Sequence, residues 1–181
     1  MTPIVSVLTP SLPERAGMLA ECCRSVESQG PLRVWAHLIE IDEDGEGCAV
    51  VMNRLAARAQ GEWLLPLADD DLILPGCIDT LVAASDGADV VYAPPLVWGL
   101  ADQWWFFQAP PAIPSFALVR ADLWRELGGY DESLSREEDR DLWTRALAAG
   151  ARFVRADSAP TWVYRLHAGS KSMAGRQQVA A

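Results

Sequence analysis

The sequence predicts an α/β fold in one domain, with a mixed, mostly parallel sheet flanked by helices. Short apolar runs alternate with amphipathic segments, and this alternation is typical of parallel strands joined by right-handed helical crossovers. The apolar run at 63–67 is continuous, as expected of a strand covered on both faces. It ends in Asp69, Asp70 and Asp71, and open α/β sheets bind ligands at the carboxyl ends of their strands.

The elements of the first half follow from hydrophobic periodicity and from the Gly and Pro residues that interrupt it. Runs of β-branched and apolar residues favour strands, and apolar residues that recur every three or four positions favour helices. Gly30 and Gly61 are typical helix stops. In chain order, we predict a strand at 4–8, a helix at 15–28, a strand at 34–41, a helix at 49–60, a strand at 63–67, a helix from near 75 and a strand at 90–93.

The second half opens with a long segment, 94–114, that contains five prolines and a cluster of aromatic residues. We predict an irregular loop here, and so many large aromatic side chains argue against disorder. Two interpretations stay open. The loop folds back on the core, or it forms the wall of a binding cleft in which Trp98, Trp104 and Trp105 offer flat apolar surfaces to an acceptor. We favour the second.

Regular structure returns after this loop, and the same patterns predict the closing elements. Gly residues again mark the helix ends, and the small, polar residues after the last strand form a C-terminal tail. The predicted elements are a strand at 115–119, helices at 122–127 and 136–149, strands at 152–155 and 161–165, and the tail at 168–181.

The composition narrows the class of partner. With 181 residues and a formal net charge of −10, the chain is not expected to bind nucleic acid or anionic membranes non-specifically. Its four cysteines form no Cys-x-x-Cys pair, so we expect neither a zinc site nor a disulfide framework. No signal peptide is evident, and no apolar run approaches the ~20 residues that span a bilayer. We therefore expect a cytoplasmic protein.

The three adjacent carboxylates at 69–71 repel one another, and a bound cation would offset that repulsion. Carboxylate oxygens suit hard ions such as Mg²⁺ or Mn²⁺. The alternative is a solvated acidic turn in which Asp71 caps the next helix. The local sequence leaves these two interpretations about level.

Two further acids fall on the inward face of the predicted helix 136–149. Its apolar stripe, which includes Leu142 and Trp143, extends back by three or four positions to Glu138 and Asp139. Acids also favour a helix N-terminus because of the helix dipole, but the dipole does not explain why two of them face the core. A carboxylate at the rim of a pocket is a natural general base. His167 follows the last strand and could reach a metal, although a lone histidine is more often structural.

Six short motifs occur in one order along most of the chain. They are Val5-Ser6-Val7-Leu8-Thr9-Pro10-Ser11, Asn53 with Ala59-Gln60-Gly61-Glu62, Ala68-Asp69-Asp70-Asp71, Gly128-Gly129-Tyr130-Asp131-Glu132, Glu138-Asp139-Arg140-Asp141-Leu142-Trp143 and Tyr164-Arg165-Leu166-His167. Together they resemble the family 2 glycosyltransferases, which are inverting enzymes with the GT-A fold that use nucleotide sugars. The resemblance implies one GT-A domain at 1–167, with a nucleotide-binding half at 1–93 and an acceptor and catalytic half at 94–167.

The resemblance also implies roles for individual residues. Those expected at the nucleotide sugar are Thr9, Pro10, Ser11, Arg15, Asp42, Asp44, Asn53, Asp69 and Asp70. Either Asp42 or Asp44 would hydrogen-bond the base. Mn²⁺ or Mg²⁺ is expected on Asp71, with Asp69 and His167 as further ligands. Asp139 would be the catalytic base, with Glu138 beside it toward the acceptor.

The implied function is metal-dependent, inverting transfer of a sugar from a nucleotide-diphosphate sugar, with UDP favoured, to an acceptor hydroxyl. The loop at 42–47 departs from the family's usual Asp-Asp-Gly-Ser, which leaves the nucleotide open. A non-catalytic GT-A-like module that binds a nucleotide sugar or glycan is the main alternative. A nucleotidyltransferase ranks lower, because no Gly-rich loop with Lys or Arg follows the first strand. The acceptor and a homo-oligomeric state also stay open.

Overall fold

Nine strands and five α-helices make up the described part of this computed structural model, which covers residues 4–30, 35–99, 114–156 and 159–171. The strands are β1 (Val5–Ser11), β2 (Trp35–Ile41), β3 (Trp63–Pro66), β4 (Leu72–Ile73), β5 (Val90–Tyr92), β6 (Pro95–Gly99), β7 (Ala117–Arg120), β8 (Phe153–Arg155) and β9 (Trp162–Leu166). The helices are α1 (Ala16–Glu27), α2 (Cys48–Arg58), α3 (Cys77–Ala83), α4 (Ala121–Glu126) and α5 (Glu138–Ala148).

The larger sheet has six strands in the order β2-β1-β3-β7-β5-β8. Strand β1 runs parallel to β2 and β3, and β5 runs parallel to β8. Strand β7 is antiparallel to both of its neighbours, β3 and β5. Five strands therefore point one way and one points the other, which confirms the predicted mixed, mostly parallel sheet. The carboxyl ends of β1, β2 and β3 meet at one edge.

The smaller sheet has the order β4-β9-β6. Strand β9 pairs antiparallel with β4, with Val163 opposite Leu72, and parallel with β6. This sheet is joined to the larger one by Trp162, which is fully buried, stacks on Phe116 with ring centroids 4.8 Å apart and donates its indole N–H to the Ala93 carbonyl at 3.0 Å. Because β4 begins just after the acidic turn, β9 lies next to that turn.

Both faces of the larger sheet are covered by helices. Val5, Val7 and Leu65 face a core shared with α1 and α3, whereas Leu8 and Leu64 face a second core shared with α2, α4 and α5. Successive side chains of a strand point to opposite faces, so a strand covered on both sides needs apolar residues throughout. All four residues of β3 are buried, as the continuous run predicts.

The structure differs from the prediction at 94–114. The residues Pro95–Gly99 form β6, so the prediction of an irregular loop is wrong for that part. Pro95 opens the strand, a position where the missing N–H is tolerated, and the adjacent prolines concealed the strand pattern. At Gly99, where φ is 129°, an added Cβ would lie 2.1 Å from the Leu166 carbonyl oxygen. The residues 100–113, with Trp104 and Trp105, lie outside the described residues.

Within the described ranges, the structure contains no helix of the length and apolar character needed to cross a membrane.

Candidate active site

A cleft of about 1560 Å³ opens at the carboxyl ends of β1 and β3. Its floor carries the acidic turn 69–71, one wall carries the start of α5, and residues after β9 close a third side. The candidate site residues on its lining are Pro10, Ser11, Arg15, Asp42, Asp69, Asp70, Asp71, Glu138 and Asp139. Residues far apart in the sequence thus meet in one cavity.

Asp69 and Asp70 are held by side chains from three parts of the chain. The Ser11 hydroxyl donates to Asp69 Oδ2 at 2.6 Å, and Arg15 Nη1 donates to Asp69 Oδ1 at 2.9 Å. Arg15 Nη1 also lies 3.4 Å from Asp70 Oδ2, and His167 Nε2 lies 2.9 Å from the same oxygen. Arg15 is therefore a fixed cation between two buried carboxylates.

Asp71 is turned away from these partners. Its Oδ1 accepts the backbone N–H of Arg165 at 2.9 Å, a bond that follows from the pairing of β4 with β9. Burial raises the pKa of Asp71 well above its usual value, and the neighbouring charge of Asp70 adds to this effect. The Arg165 guanidinium also donates to the Asp70 carbonyl and to Glu21. Asp71 thus ties the acidic turn to β9.

No three acidic, histidine or cysteine side chains of the described residues form a group that could hold a metal ion. The predicted set of Asp71, Asp69 and His167 is not assembled here, because Asp69 is bound by Ser11 and Arg15 while His167 reaches Asp70.

Asp70 and His167 could hold a cation together once the proton on His167 Nε2 is displaced. Mg²⁺ is commonly bound by one or two carboxylates together with substrate phosphates. Adjacent ligands of an ion bound at about 2.1 Å lie about 3 Å apart, close to the 2.9 Å between His167 Nε2 and Asp70 Oδ2. His167 Nδ1 accepts the Gly169 N–H at 3.2 Å, so Nε2 carries the ring proton. A cation on Nε2 would replace that proton and give up the Gly169 contact.

Thr9 lies beneath the cleft and does not line it. Its side chain is fully buried, and its Oγ1 lies 2.9 Å from His37 Nε2. Burial lowers the pKa of His37 to about 4, so this imidazole is neutral at pH 7. Thr9 and His37 form a polar pair between β1 and β2.

Asp42 holds the loop that follows β2. Its Oδ2 accepts the Gly47 N–H at 2.8 Å and its Oδ1 accepts the Glu46 N–H at 2.9 Å. These backbone bonds, that of Gly47 first, lower the pKa of Asp42. Arg54 pairs with Glu46 at 2.7 Å and fixes the loop from the other side. Asp44, the other candidate for the hydrogen bond to the nucleobase, is exposed and does not line the cleft.

Asp139 and Glu138 enter the cleft from the first turn of α5. Glu137, just before them, has a φ of 60° and is the one non-glycine residue of the described chain with a positive φ. Burial raises the pKa of Asp139 above its usual value, although its Oδ1 accepts the Arg140 N–H at 2.8 Å. Glu138 is buried and accepts a hydrogen bond from Lys171 Nζ at 3.0 Å.

Three further predicted residues do not line the cleft, and one of them is His167, which lies behind Asp70. Asn53 points to the α4–α5 loop, where its amide hydrogen-bonds the backbone of Tyr130. Trp98 on β6 is 60% exposed and does not line the cleft.

The sequence did not single out several lining residues. Tyr130 lies in the Gly-Gly-Tyr motif and Arg165 lies two positions before His167, so both had a signal. Ser170 and Lys171 fall in the predicted tail, where scattered basic residues among small ones give no such signal. Within the described chain, Arg15 donates to the Gly169 carbonyl at 3.1 Å, and Arg136 donates to the Lys171 carbonyl. These residues close the cleft.

No protein-family model matches the chain, and no curated protein matches it. Several solved structures do. Residues 1–349 of S. aureus TarS in complex with UDP-GlcNAc superpose with a TM-score of 0.75 at 16% identity, over 94% of this chain and 60% of that one. The same TarS fragment with UDP gives 0.75 at 15% identity, over 92% and 61%.

A second neighbour comes from another organism. The mannosyltransferase PcManGT from Pyrobaculum calidifontis, in complex with GDP-Man and Mn²⁺, gives a TM-score of 0.64 at 15% identity, over 94% of this chain and 59% of that one. The chain therefore spans about three fifths of these neighbours. At such identity the likeness concerns the fold, and it confirms that this chain has the GT-A fold of glycosyltransferases.

Proposed function

We propose that this protein is a glycosyltransferase of the family 2 type, which moves a sugar from a nucleotide-diphosphate sugar to an acceptor hydroxyl. One observation carries the proposal. A single cleft at the strand ends joins a floor of buried carboxylates to Asp139, a carboxyl group whose pKa is raised by burial. The UDP-GlcNAc and GDP-Man bound by the structural neighbours support a nucleotide sugar as the donor.

On the donor side, the nucleotide would lie between Asp42 and the end of β1, where Pro10 and Ser11 line the cleft. The proposed donor is a UDP-sugar. Arg15 would face the diphosphate from the floor. Asp70 and His167 would hold Mn²⁺ or Mg²⁺, which when bound neutralises the charge that develops on the leaving phosphate oxygens. The Mn²⁺ of the mannosyltransferase supports this cation. We assign Asp71 to structure, because Arg165 occupies one of its oxygens.

On the acceptor side, Asp139 is the proposed general base. The acceptor oxygen attacks the anomeric carbon as its proton passes to Asp139, and the bond from that carbon to the phosphate oxygen breaks. A single displacement inverts the configuration at the anomeric carbon and needs no protein nucleophile. The raised pKa of Asp139 suits the role, because a base is most effective when its pKa approaches the working pH. Glu138 and Lys171 border the same end of the cleft.

The second candidate function is a module that binds nucleotide sugars without turnover. Its supporting observation is that the chain's own groups already engage all three carboxylates of the floor, through Arg15, His167 and Arg165. With these contacts in place, the three carboxylates need no bound cation.

The test combines binding and turnover. Thermal unfolding would be followed with UDP, GDP, UDP-GlcNAc and GDP-Man, each with Mn²⁺ and with EDTA, because a ligand that binds only the folded state raises the Tm. Release of nucleoside diphosphate would then be measured for the wild type and for Asp139→Asn. Metal-dependent stabilisation with Asp139-dependent release supports the transferase. Stabilisation without release supports the binding module, and no stabilisation by any nucleotide overturns both.

A further inference from the structure

Asn53 joins α2 to one wall of the cleft through three hydrogen bonds, which we call the Asn53 clasp. Its Oδ1 accepts the Tyr130 N–H at 2.9 Å, and its Nδ2 donates to the Tyr130 carbonyl at 2.9 Å and to Glu132 Oε1 at 3.0 Å. A primary amide has two N–H donors, and both are used here. Asn53 therefore has no donor left for a ligand.

The surroundings fit this clasp closely. Gly129 has a φ of 73°, and an added Cβ would lie 2.3 Å from Asn53 Oδ1. From the opposite side, Arg145 donates to the Leu127 carbonyl at 2.7 Å and to the Gly129 carbonyl at 2.8 Å. The α4–α5 loop is thus fixed between α2 and α5.

The clasp sets the position of a cleft wall. Tyr130 is 4% exposed, its ring packs on Trp124 with centroids 4.8 Å apart, and both Tyr130 and Glu132 line the cleft with Asp139. Burial, with the nearby charge of Asp139, raises the pKa of Tyr130 well above its usual value. Its hydroxyl therefore stays protonated beside the proposed base.

We infer that Asn53 is a positioning residue, which holds the cleft wall formed by Tyr130 and Glu132 beside Asp139 and does not contact the nucleotide sugar. This inference rests on the proposed function. It assigns Asn53 a role other than the contact with the nucleotide sugar that the family resemblance implies. Misplacement of a reacting group by about 1 Å can lower a rate by about a hundredfold. A loosened wall should therefore lower turnover and leave nucleotide affinity unchanged.

The first test separates affinity from turnover. Asn53→Asp keeps the size and the Oδ1 acceptor but replaces the donor with an oxygen that faces the Tyr130 carbonyl. Arg58→Ala is the control, since Arg58 lies on the same helix, is 52% exposed and pairs with Glu40. The Kd for UDP and GDP with Mn²⁺ would come from calorimetry. The kcat would come from release of UDP or GDP from UDP-GlcNAc or GDP-Man, with water as the acceptor.

For Asn53→Asp we expect kcat to fall about tenfold to a hundredfold, with Kd within about twofold of the wild type. Arg58→Ala should change neither quantity. A raised Kd with kcat retained would make Asn53 a nucleotide ligand and overturn the inference. An unchanged kcat with a lowered Tm would reduce Asn53 to a purely structural role and overturn it as well.

The second test needs no activity. Gly129→Ala should lower the Tm, because its Cβ meets Asn53 Oδ1. In the Asn53→Ala background that oxygen is gone, so the double variant should be less destabilised than the sum of the single changes. Additive changes would contradict the clasp. If the wild type neither binds nor turns over nucleotides, the proposed function is wrong. The comparison of the two single variants with the double variant would still test the clasp.

Discussion

His167 Nε2 lies 2.9 Å from Asp70 Oδ2, although the two residues are 97 positions apart in the sequence. The contact exists because β9 pairs with β4 directly after the acidic turn. It brings together the two side chains to which we assign the divalent cation, Asp70 on the cleft lining and His167 behind it.

Loss of either partner should abolish metal-dependent binding of nucleotide. We expect Asp70→Asn and His167→Ala to remove the Tm increase that Mn²⁺ adds to UDP or GDP, as measured by thermal unfolding with Mn²⁺ and with EDTA. Asp79→Asn, at an exposed position on α3 away from the cleft, is the matched control and should behave as the wild type. A full Mn²⁺ effect in His167→Ala would remove His167 from the cation site.

Asp139→Asn should lower the release of nucleoside diphosphate by about 10²–10⁴-fold, the usual contribution of a general base, with the Kd for UDP or GDP retained. Because burial raises the pKa of Asp139, the acid limb of the wild-type pH–rate profile should lie above the ordinary range of an aspartate. Rates measured across pH would show it. Asp122→Asn, 80% exposed on α4, is the control. If Asp139→Asn keeps the turnover of the wild type, another residue must be the general base.

His37 should make the fold sensitive to mild acid. Its pKa is lowered to about 4 by burial, whereas an unfolded histidine titrates near 6.5. The unfolded state therefore binds more protons between these values, so stability is fully present above about pH 6.5 and is lost as the pH falls toward 4. We expect the wild type to lose up to about 3 kcal/mol over this interval relative to His37→Gln, measured by denaturant unfolding. Parallel pH profiles for the two proteins would contradict the prediction.

Asp42 and Asp44 should differ in their effect on nucleotide binding. Asp42 lines the cleft and holds the loop at 42–47, so Asp42→Ala should weaken UDP or GDP binding about tenfold, as expected for lost hydrogen bonds to a charged group. Asp44→Ala, at an exposed position off the cleft, should leave the Kd within about twofold. Calorimetry on both variants decides. Equal losses of nucleotide affinity in the two variants would show that the nucleobase does not depend on Asp42 more than on Asp44.

Much of the fold can be predicted from the sequence because its signals are local. Alternating strands and helices, and the continuous apolar run of β3, follow from periodicity. Strands β4 and β6 were missed, since one is two residues long and the other begins with Pro95. The pairing of β9 with both β4 and β6 depends on contacts between segments that are far apart in the sequence. Hydrophobic periodicity carries no information about such contacts.

The site was predicted in part for a similar reason. Motifs indicate which segments approach a ligand, but they do not give the direction of each side chain. Thr9 is followed on β1 by Pro10 and Ser11, which both line the cleft, yet Thr9 is fully buried one step further back in the strand and meets His37. Asn53 faces the α4–α5 loop, where its amide oxygen accepts the Tyr130 N–H and occupies the space beside Gly129. Lys171 reaches Glu138 by a turn that the small residues before it do not specify.

The pairing of β4 with β9 has a consequence for the newborn chain. The ribosome makes the chain from its N-terminus, so the acidic turn emerges before Arg165, which is 94 positions after Asp71. Until β9 arrives, three neighbouring carboxylates lack the backbone donor and the imidazole that organise them. The acidic turn therefore stays incomplete until β9 and His167 have been made, and the proposed donor site cannot form before then.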